Sequence, residues 1–214
     1  GDVYKRQDRE NRGIGGPAKK TGMNSPWDVM LGPDGNTLFI AMAGHHQIWT
    51  LDLKEDRLDL YAGDGRENIR DGSLGAALFA QPSGLTHDGK EIFVADSEVS
   101  AIRGVSLGKG GVRTLVGKGL FVFGDVDGPA ATVRLQHALG IEYVDGKLYI
   151  ADTYNGKIKE MDPATGDTKT FVGGERGGWL SGPTFNEPGG ISHANGKLYV
   201  ADTNAHRIRV VDLK

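Results

Sequence analysis

The length, composition and charge of the chain exclude several classes of protein. It has 214 residues, a net charge of −3 and no cysteine, which rules out disulfides, thiolate metal sites and thiol nucleophiles. The mild acidity argues against nucleic-acid binding, which needs a clustered basic face. No window approaches roughly 18 uninterrupted apolar residues, so no transmembrane helix is predicted, and no signal peptide is visible. The sequence leans towards a cytoplasmic protein without fixing the compartment.

One short phrase recurs along the chain. Its strongest copies are Leu148-Tyr149-Ile150-Ala151-Asp152 and Leu198-Tyr199-Val200-Ala201-Asp202, and weaker copies begin at Ile92 and Leu38. The turns that open each unit are Ser25-Pro26, Gln81-Pro82, His137-Ala138 and Glu187-Pro188. These openings stand 56, 56 and 50 residues apart. Repeats of this period built from short strands indicate a propeller or array.

Each unit holds the sequence of four strands. An opening strand is followed by Asp34-Gly35, Asp88-Gly89, Asp145-Gly146 or Asn195-Gly196. These pairs favour type I′ hairpins, because their residues tolerate the positive φ that the turn requires. The repeated phrase forms the second strand, an alternating segment such as Arg207-Ile208-Arg209-Val210 the third, and one such as Thr168-Lys169-Thr170-Phe171 the fourth. We predict an all-β chain of about four antiparallel propeller blades with very little helix.

Long glycine-rich segments connect each blade to the next. Each carries an apolar residue, Phe79, Leu135 or Phe185, that we expect to pack against the blades. The Asp125-Val126-Asp127-Gly128 stretch superficially resembles a calcium loop, but it lacks the later oxygen ligands and is interpreted as part of a turn.

The pattern resembles the NHL repeat family. Residues 187–212 match its Pro-x-Gly-Ile opening, its Gly-x-Leu-Tyr-Val-Ala-Asp-Thr strand and its Asn-x-His-Arg-Ile-Arg-Val strand. The Asp-Gly-Pro-Ala connection is most similar to a subfamily that joins a thioredoxin-like domain to the propeller. The resemblance implies a six-bladed ring, so residues 9–214 are interpreted as an incomplete part of such a propeller and residues 1–8 as a non-repeat segment. A complete four-bladed ring is the alternative.

Five polar residues are the candidate ligand-binding positions. His137, Gln81 and Glu187 occupy the residue before the opening proline position, and His46 and His206 occupy an equivalent turn in two units. Turn formation is the competing interpretation of both sets. Asp96, Asp152 and Asp202 recur where the first unit has Met42, and we expect each aspartate to accept backbone hydrogen bonds in the turn that follows.

Other chemistry-bearing residues favour structural interpretations. Arg103, Arg113 and Arg134 are interpreted as solvated charges. Trp27, Trp49 and Trp179 are interpreted as core or blade-junction aromatics. No histidine spacing indicates a zinc site, so no metal, cofactor or catalytic residue is predicted.

Two functions remain after these exclusions. The resemblance implies a non-catalytic scaffold that binds a protein or another ligand on its loop face, joined to further blades or domains of the same protein. The alternative is a metal-dependent lyase or lactonase-type enzyme with its site in the central channel. RNA binding, as in some members of the family, conflicts with the mild acidity.

Overall fold

The computed structural model describes residues 14–174 and 185–213. Within these ranges the chain forms four antiparallel sheets and short 3-10 turns. Each sheet is one blade, and the blades follow one another around an arc in a propeller arrangement. The predicted all-β class and blade architecture are confirmed. Residues 1–8 and Trp179 lie outside the described residues.

The first two blades have five strands each. Blade 1 contains β1 (Gly16–Pro17), β2 (Pro26–Leu31), β3 (Thr37–Met42), β4 (Gln47–Asp52) and β5 (Arg57–Ala62). Blade 2 contains β6 (Gly72–Ser73), β7 (Pro82–His87), β8 (Glu91–Asp96), β9 (Ala101–Ser106) and β10 (Gly111–Val116). The short strands β1 and β6 pair with β5 and β10, so the incoming connection covers the outer edge of the blade. This cover protects an edge strand from pairing with other chains.

The last two blades are described with fewer strands. Blade 3 contains β11 (Gly140–Val144), β12 (Lys147–Asp152), β13 (Lys157–Met161) and β14 (Thr168–Val172). Blade 4 contains β15 (Pro188–Ala194), β16 (Lys197–Asp202) and β17 (Arg207–Asp212). The repeated phrase is the second strand of its blade, as predicted, and Ile150 pairs with Ile141 on one side and Lys159 on the other.

The hairpin after the opening strand takes two forms. Asp145-Gly146 and Asn195-Gly196 are two-residue turns in which both residues have positive φ, as a type I′ turn requires. In blades 1 and 2 the loop is longer, and only the glycine has positive φ. There Asp34 and Asp88 accept backbone hydrogen bonds from the residues two and three positions later. The type I′ prediction is therefore wrong for those two blades, because their aspartates build Asx turns instead.

Apolar side chains between neighbouring blades form the core. One cluster joins Phe39 and Ile48 of blade 1 to Leu85 and Val94 of blade 2, and similar clusters join blades 2 to 3 and 3 to 4. The connection residues Phe79, Leu135 and Phe185 are fully buried, which confirms their predicted packing. Each blade therefore depends on its neighbours for burial of its apolar faces.

Glycine lets the inner strands approach one another. A Cβ added to Gly84 would lie 2.4 Å from the carbonyl oxygen of Leu139, and one added to Gly140 would lie 2.2 Å from that of Gly189. No side chain fits such gaps, so adjacent inner strands pass almost backbone to backbone. The close approach sets the shape of the channel that these strands line.

The two ends of the arc present apolar side chains to solvent. Trp27 and Val29 of blade 1 are exposed, as are Ile208 and Val210 of blade 4. Trp49 is fully buried, as predicted, whereas Trp27 is exposed and is not a core residue; its alternative interpretation as a blade-junction aromatic stays a prediction. No helix in the described ranges is long and apolar enough to cross a membrane.

Candidate functional site

The inner strands of all four blades surround one open cavity. It has a volume of about 950 Å³ and is lined by β2, β7, β11 and β15 together with the turns that follow the second strands of blades 2 and 3. At one end of the cavity its lining belongs to the blade openings and to the turns after the second strands; this face is here called the opening face, and this end of the cavity is called its mouth. The opposite face carries the hairpins after the opening strands and is called the hairpin face.

Side chains inside the cavity tie neighbouring inner strands together. Asp28 Oδ2 accepts a hydrogen bond of 2.8 Å from the backbone N–H of Leu85 in the next blade. Thr86 Oγ1 accepts one of 3.0 Å from the N–H of Tyr143. Glu142 accepts another from the backbone of His193. These bonds satisfy strand amides that face the channel and fix the position of each acceptor.

Three carboxyl groups give the cavity its charge. Asp28, Glu98 and Glu142 line it, and among the described lining residues none is lysine or arginine. Burial raises the pKa of Asp28 and of Glu142, and the charge of Asp28 raises that of Glu142 further. Charge placed in a concave site focuses the electrostatic field, so this cavity attracts cations.

The residue before each opening proline position adopts a left-handed conformation. The φ angles are 51° at Ser25, 74° at Gln81, 50° at His137 and 53° at Glu187. Non-glycine residues rarely adopt this region, so the opening turn sets the backbone at all four positions. Of the three predicted ligand-binding residues, Gln81 and His137 line the cavity, whereas Glu187 is not part of its wall.

His137 stands in a built arrangement at the cavity mouth. Its Nε2 lies 3.1 Å from Glu98 Oε2, and its ring stacks on Tyr154 with centroids 4.6 Å apart and planes inclined by 17°. Its backbone N–H donates to Ser100 Oγ at 3.1 Å. Glu98 belongs to the turn after the second strand of blade 2 and Tyr154 to the 3-10 turn of blade 3, so His137 bridges two blades.

The other two predicted ligand-binding residues lie elsewhere. His46 and His206 each follow a 3-10 turn with φ near 55° and 52°, and neither lines the cavity. Ser100 and Gly156 occupy the same left-handed position in blades 2 and 3. All four positions share this left-handed turn conformation. Glycine adopts it freely and the turn holds the other residues in it, so different side chains occupy the position.

The repeated aspartates lie inside the blades rather than in the cavity wall. Asp96, Asp152 and Asp202 accept hydrogen bonds of 2.6–2.7 Å from the backbone N–H groups of Ala80, Gln136 and Asn186. Each of these amides stands two residues before the opening position of its blade, which is Pro82, Ala138 or Pro188, so the expectation of a backbone bond in the following turn is wrong. The aspartate holds the incoming connection because the chain returns past the end of the second strand.

A cation accompanies each repeated aspartate, and it is fully buried in blades 2 and 3. Arg103, at 0% exposure, donates to Asp96 at 3.1 Å, which makes its prediction as a solvated charge wrong. In blade 3 the Lys159 Nζ lies 2.6 Å from both Asp125 and Asp127. A lysine ammonium thus occupies the centre of the stretch that resembles a calcium loop. Within the described ranges, no group of three or more possible ligands is placed to hold a metal ion.

Comparison with known proteins identifies the repeat. The family model described as NHL repeat matches residues 185–211. NHL repeat-containing protein 2 of Bos taurus is 43% identical over 228 residues, which covers 90% of this chain and 31% of that protein. The chain belongs to the NHL repeat family.

Two further comparisons extend the family relationship. The Arabidopsis thaliana protein SUPPRESSOR OF QUENCHING 1, chloroplastic, is 42% identical over 180 residues, covering 78% of this chain and 17% of that protein. A Bacteroides thetaiotaomicron protein of unknown function has the same fold with a TM-score of 0.68 and 17% identity, covering 87% of this chain and 46% of its own. The chain spans less than a third of the length of either of these two sequence relatives.

Sequence reasoning missed four residues of the NHL cavity. Glu98 and Tyr154 occupy one repeat position, which Gly44 and Asn204 fill in the other blades. Asp28 and Glu142 likewise stand where the equivalent inner strands carry other residues. The available signal was disagreement between repeats at positions that point into the channel, but a sequence alignment does not show which positions point there.

Proposed function

We propose that this NHL propeller is a non-catalytic scaffold that binds a protein or another ligand on its opening face. The cavity of about 950 Å³ carries the proposal, because all four inner strands contribute to it and its mouth lies on that face. Cavities of this size that combine apolar walls with a few fixed polar groups are the usual form of a ligand site. Gln81 and His137 are the proposed ligand contacts at the mouth, with Glu187, His46 and His206 as outer positions of the same face.

The wall of the cavity supports a binding role. His137 is held by Glu98, Tyr154 and Ser100, and Asp28 by the amide of Leu85, so these groups are oriented before any ligand arrives. Preorganised contacts reduce the ordering cost of association.

The proposal places this propeller within a longer protein that adds further blades and a thioredoxin-like domain. The matched relatives are several times longer than the matched segment, and the exposed blade faces at Trp27 and Ile208 are suited to further packing. Sequencing of the genomic locus tests this part, and a reading frame without either addition would contradict it.

Site-specific photocrosslinking tests the scaffold. A benzoylphenylalanine residue is placed at Gln81 or Glu187 on the opening face, or at Lys90 or Lys109 on the opposite face, in cells that express the chain. We expect crosslinked adducts from the first pair and not from the second. Adducts from the hairpin-face positions alone would reject the proposed surface.

The enzyme alternative has its own test. A metal-dependent lyase or lactonase would retain tightly bound metal after purification, measured by elemental analysis, and would need His46, His137 or His206 for it. Metal retention that all three alanine variants abolish would favour the enzyme over the scaffold.

A further inference from the structure

The loop at residues 119–124 adds an apolar projection to the opening face. Its sequence is Gly-Leu-Phe-Val-Phe-Gly. Phe121 is 90% exposed and Phe123 is 54% exposed, although both belong to an ordered turn in which the Val122 N–H donates to the carbonyl oxygen of Gly119. Contiguous exposed aromatic residues are uncommon on a soluble surface and often mark an interaction site.

Contacts at both ends hold this loop beside the cavity mouth. Leu120 packs in a cluster with Ala80 and Val99, which are the neighbours of Gln81 and Glu98 in sequence. At the other end, the Asn155 amide donates a hydrogen bond of 2.7 Å to the carbonyl oxygen of Gly124. Asn155 adjoins Tyr154. The loop is therefore held against the two turns that carry Glu98 and Tyr154.

The blade architecture does not require apolar residues at this tip. The corresponding stretch of the connection between blades 1 and 2 reads Gly65-Arg66-Glu67-Asn68. There Arg66 pairs with Asp64 on the surface, at 2.7 Å. A polar sequence forms the same part of the connection between blades 1 and 2. The fold therefore does not require the phenylalanines, and we attribute them to contact with a binding partner.

The charged side chains beside the loop indicate which kind of ligand would bind there. The cavity beside the loop contains Asp28, Glu98 and Glu142 and, within its described lining, no lysine or arginine. Lys118 precedes the loop but does not line the cavity. Tyr154 is 52% exposed and offers an aromatic face to a cation, which adds attraction to the carboxylates.

Resting on the proposed scaffold function, we propose that the opening face binds a peptide segment in which an arginine or lysine neighbours an apolar residue. The apolar side chain packs on Phe121 and Phe123, and the cation enters the acidic cavity beside Glu98 and Tyr154. Aromatic anchors supply most of the affinity of such interfaces, and charge complementarity supplies specificity and association rate.

Selection from a random 12-residue phage-displayed peptide library on the whole chain tests this partner. Enriched peptides are synthesised with a fluorescein label, and their affinities are measured by fluorescence polarisation at two salt concentrations. We expect enriched sequences that join a basic residue to an apolar one, with binding that weakens as salt rises.

Matched variants identify the surface. We expect Phe121→Ser with Phe123→Ser to weaken binding about tenfold or more, and Glu98→Gln to weaken it several-fold and reduce the salt dependence. The controls are Ile208→Ser with Val210→Ser, which remove exposed apolar residues of blade 4, and Glu55→Gln on the hairpin face. We expect these controls to bind like the parent chain.

Three results would overturn the inference. One is the absence of enrichment, or enrichment of acidic peptides. Another is peptide binding that the loop and Glu98 substitutions leave unchanged, in which case the scaffold proposal stands and this partner fails. The third is sedimentation of the chain with phosphatidylcholine–phosphatidylserine vesicles that depends on Phe121 and Phe123, which would assign the loop to a lipid surface. Failure of the scaffold itself is measured separately by the photocrosslinks at Gln81 and Glu187.

Discussion

The Asp96 carboxylate and the Arg103 guanidinium lie 3.1 Å apart, and both side chains are completely buried. Blade 1 fills the same two positions with Met42 and Trp49, which are also fully buried. The Met42 sulfur accepts the N–H of Asn24 at 3.2 Å, as Asp96 accepts that of Ala80. One blade thus replaces an ion pair with an apolar pair while keeping the backbone contact.

Removal of one partner of this ion pair should be costly. Arg103→Met leaves the Asp96 charge buried without its cation, and we expect a loss of about 3–5 kcal/mol in the free energy of unfolding. Asp96→Met combined with Arg103→Met should recover a large part of that loss, because no buried charge remains unpaired and blade 1 already uses methionine as the acceptor; Asp71, the second carboxylate on Arg103, is half exposed. Denaturant titration measures both.

An exposed ion pair provides the control. Arg113 and Glu91 are 2.8 Å apart, with 48% of the arginine side chain exposed. We expect Arg113→Met to change the free energy of unfolding by no more than about 1 kcal/mol. If the double variant Asp96→Met with Arg103→Met were as unstable as Arg103→Met alone, the role assigned to the buried ion pair would be contradicted.

The free energy of unfolding should carry a pH-dependent contribution from Asp152. Burial raises the pKa of Asp152 to about 7 from its ordinary value of 3.8, although Asn155 and the Gln136 amide act in the opposite direction. The unfolded chain ionises this carboxyl first as pH rises. Its contribution to stability is therefore fully present below about pH 4 and is lost as pH approaches 7.

Asp152→Asn tests that sign. We expect the difference in unfolding free energy between variant and parent to shift in favour of the variant between pH 4 and pH 7.5. Asp162→Asn is the control: the Lys147 ammonium lowers the pKa of Asp162, so the contribution of that carboxyl is lost only as pH falls below about 4, and its difference should stay nearly flat up to pH 7.5. The prediction fails if the Asp152 difference is flat across this range in denaturant titrations.

Substitution of an inner-strand glycine should separate neighbouring blades. A Cβ at position 140 meets the carbonyl oxygen of Gly189 at 2.2 Å, so Gly140→Ala requires the strands to move apart. We expect a loss of about 1–3 kcal/mol, as for other overpacked sites. Gly75→Ala is the matched control, since nothing lies within 4 Å of its added Cβ. Thermal unfolding of both variants checks the difference, and equal effects would rule out the close approach.

Neutralisation of Asp28 should weaken ligand binding without lowering the stability of the folded chain. Burial raises the pKa of Asp28, so the ionised carboxylate destabilises the folded chain relative to the unfolded chain. Asp28→Asn keeps an acceptor for the Leu85 amide, and we expect equal or greater stability at pH 8. The same variant should weaken the binding of basic peptides, because the cavity loses a carboxylate. Denaturant titration and fluorescence polarisation measure the two effects, and unchanged peptide affinity would exclude Asp28 from the site.

Much of the fold could be predicted because the repeat fixes strand positions relative to one another. The Leu-Tyr-Ile-Ala-Asp phrase marks the second strand, and the apolar residues Phe79, Leu135 and Phe185 mark the packed connections. The repeated aspartates were harder to interpret. Their amide partners stand 16 residues earlier in the chain. Sequence alone favours a hydrogen bond within the adjacent turn, because it does not show that the earlier segment returns to this point.

The sequence by itself determined the class of the chain, its blade spacing and the positions at which the repeats differ. Alternating apolar residues and turn pairs report local backbone geometry, which the sequence encodes directly. Only the tertiary structure showed that Arg103 is buried against Asp96, that His137 stands between Glu98 and Tyr154, and that residues 119–124 lie beside them. Each of these contacts joins different blades or distant parts of one blade, and their geometry depends on how the blades pack rather than on any one segment.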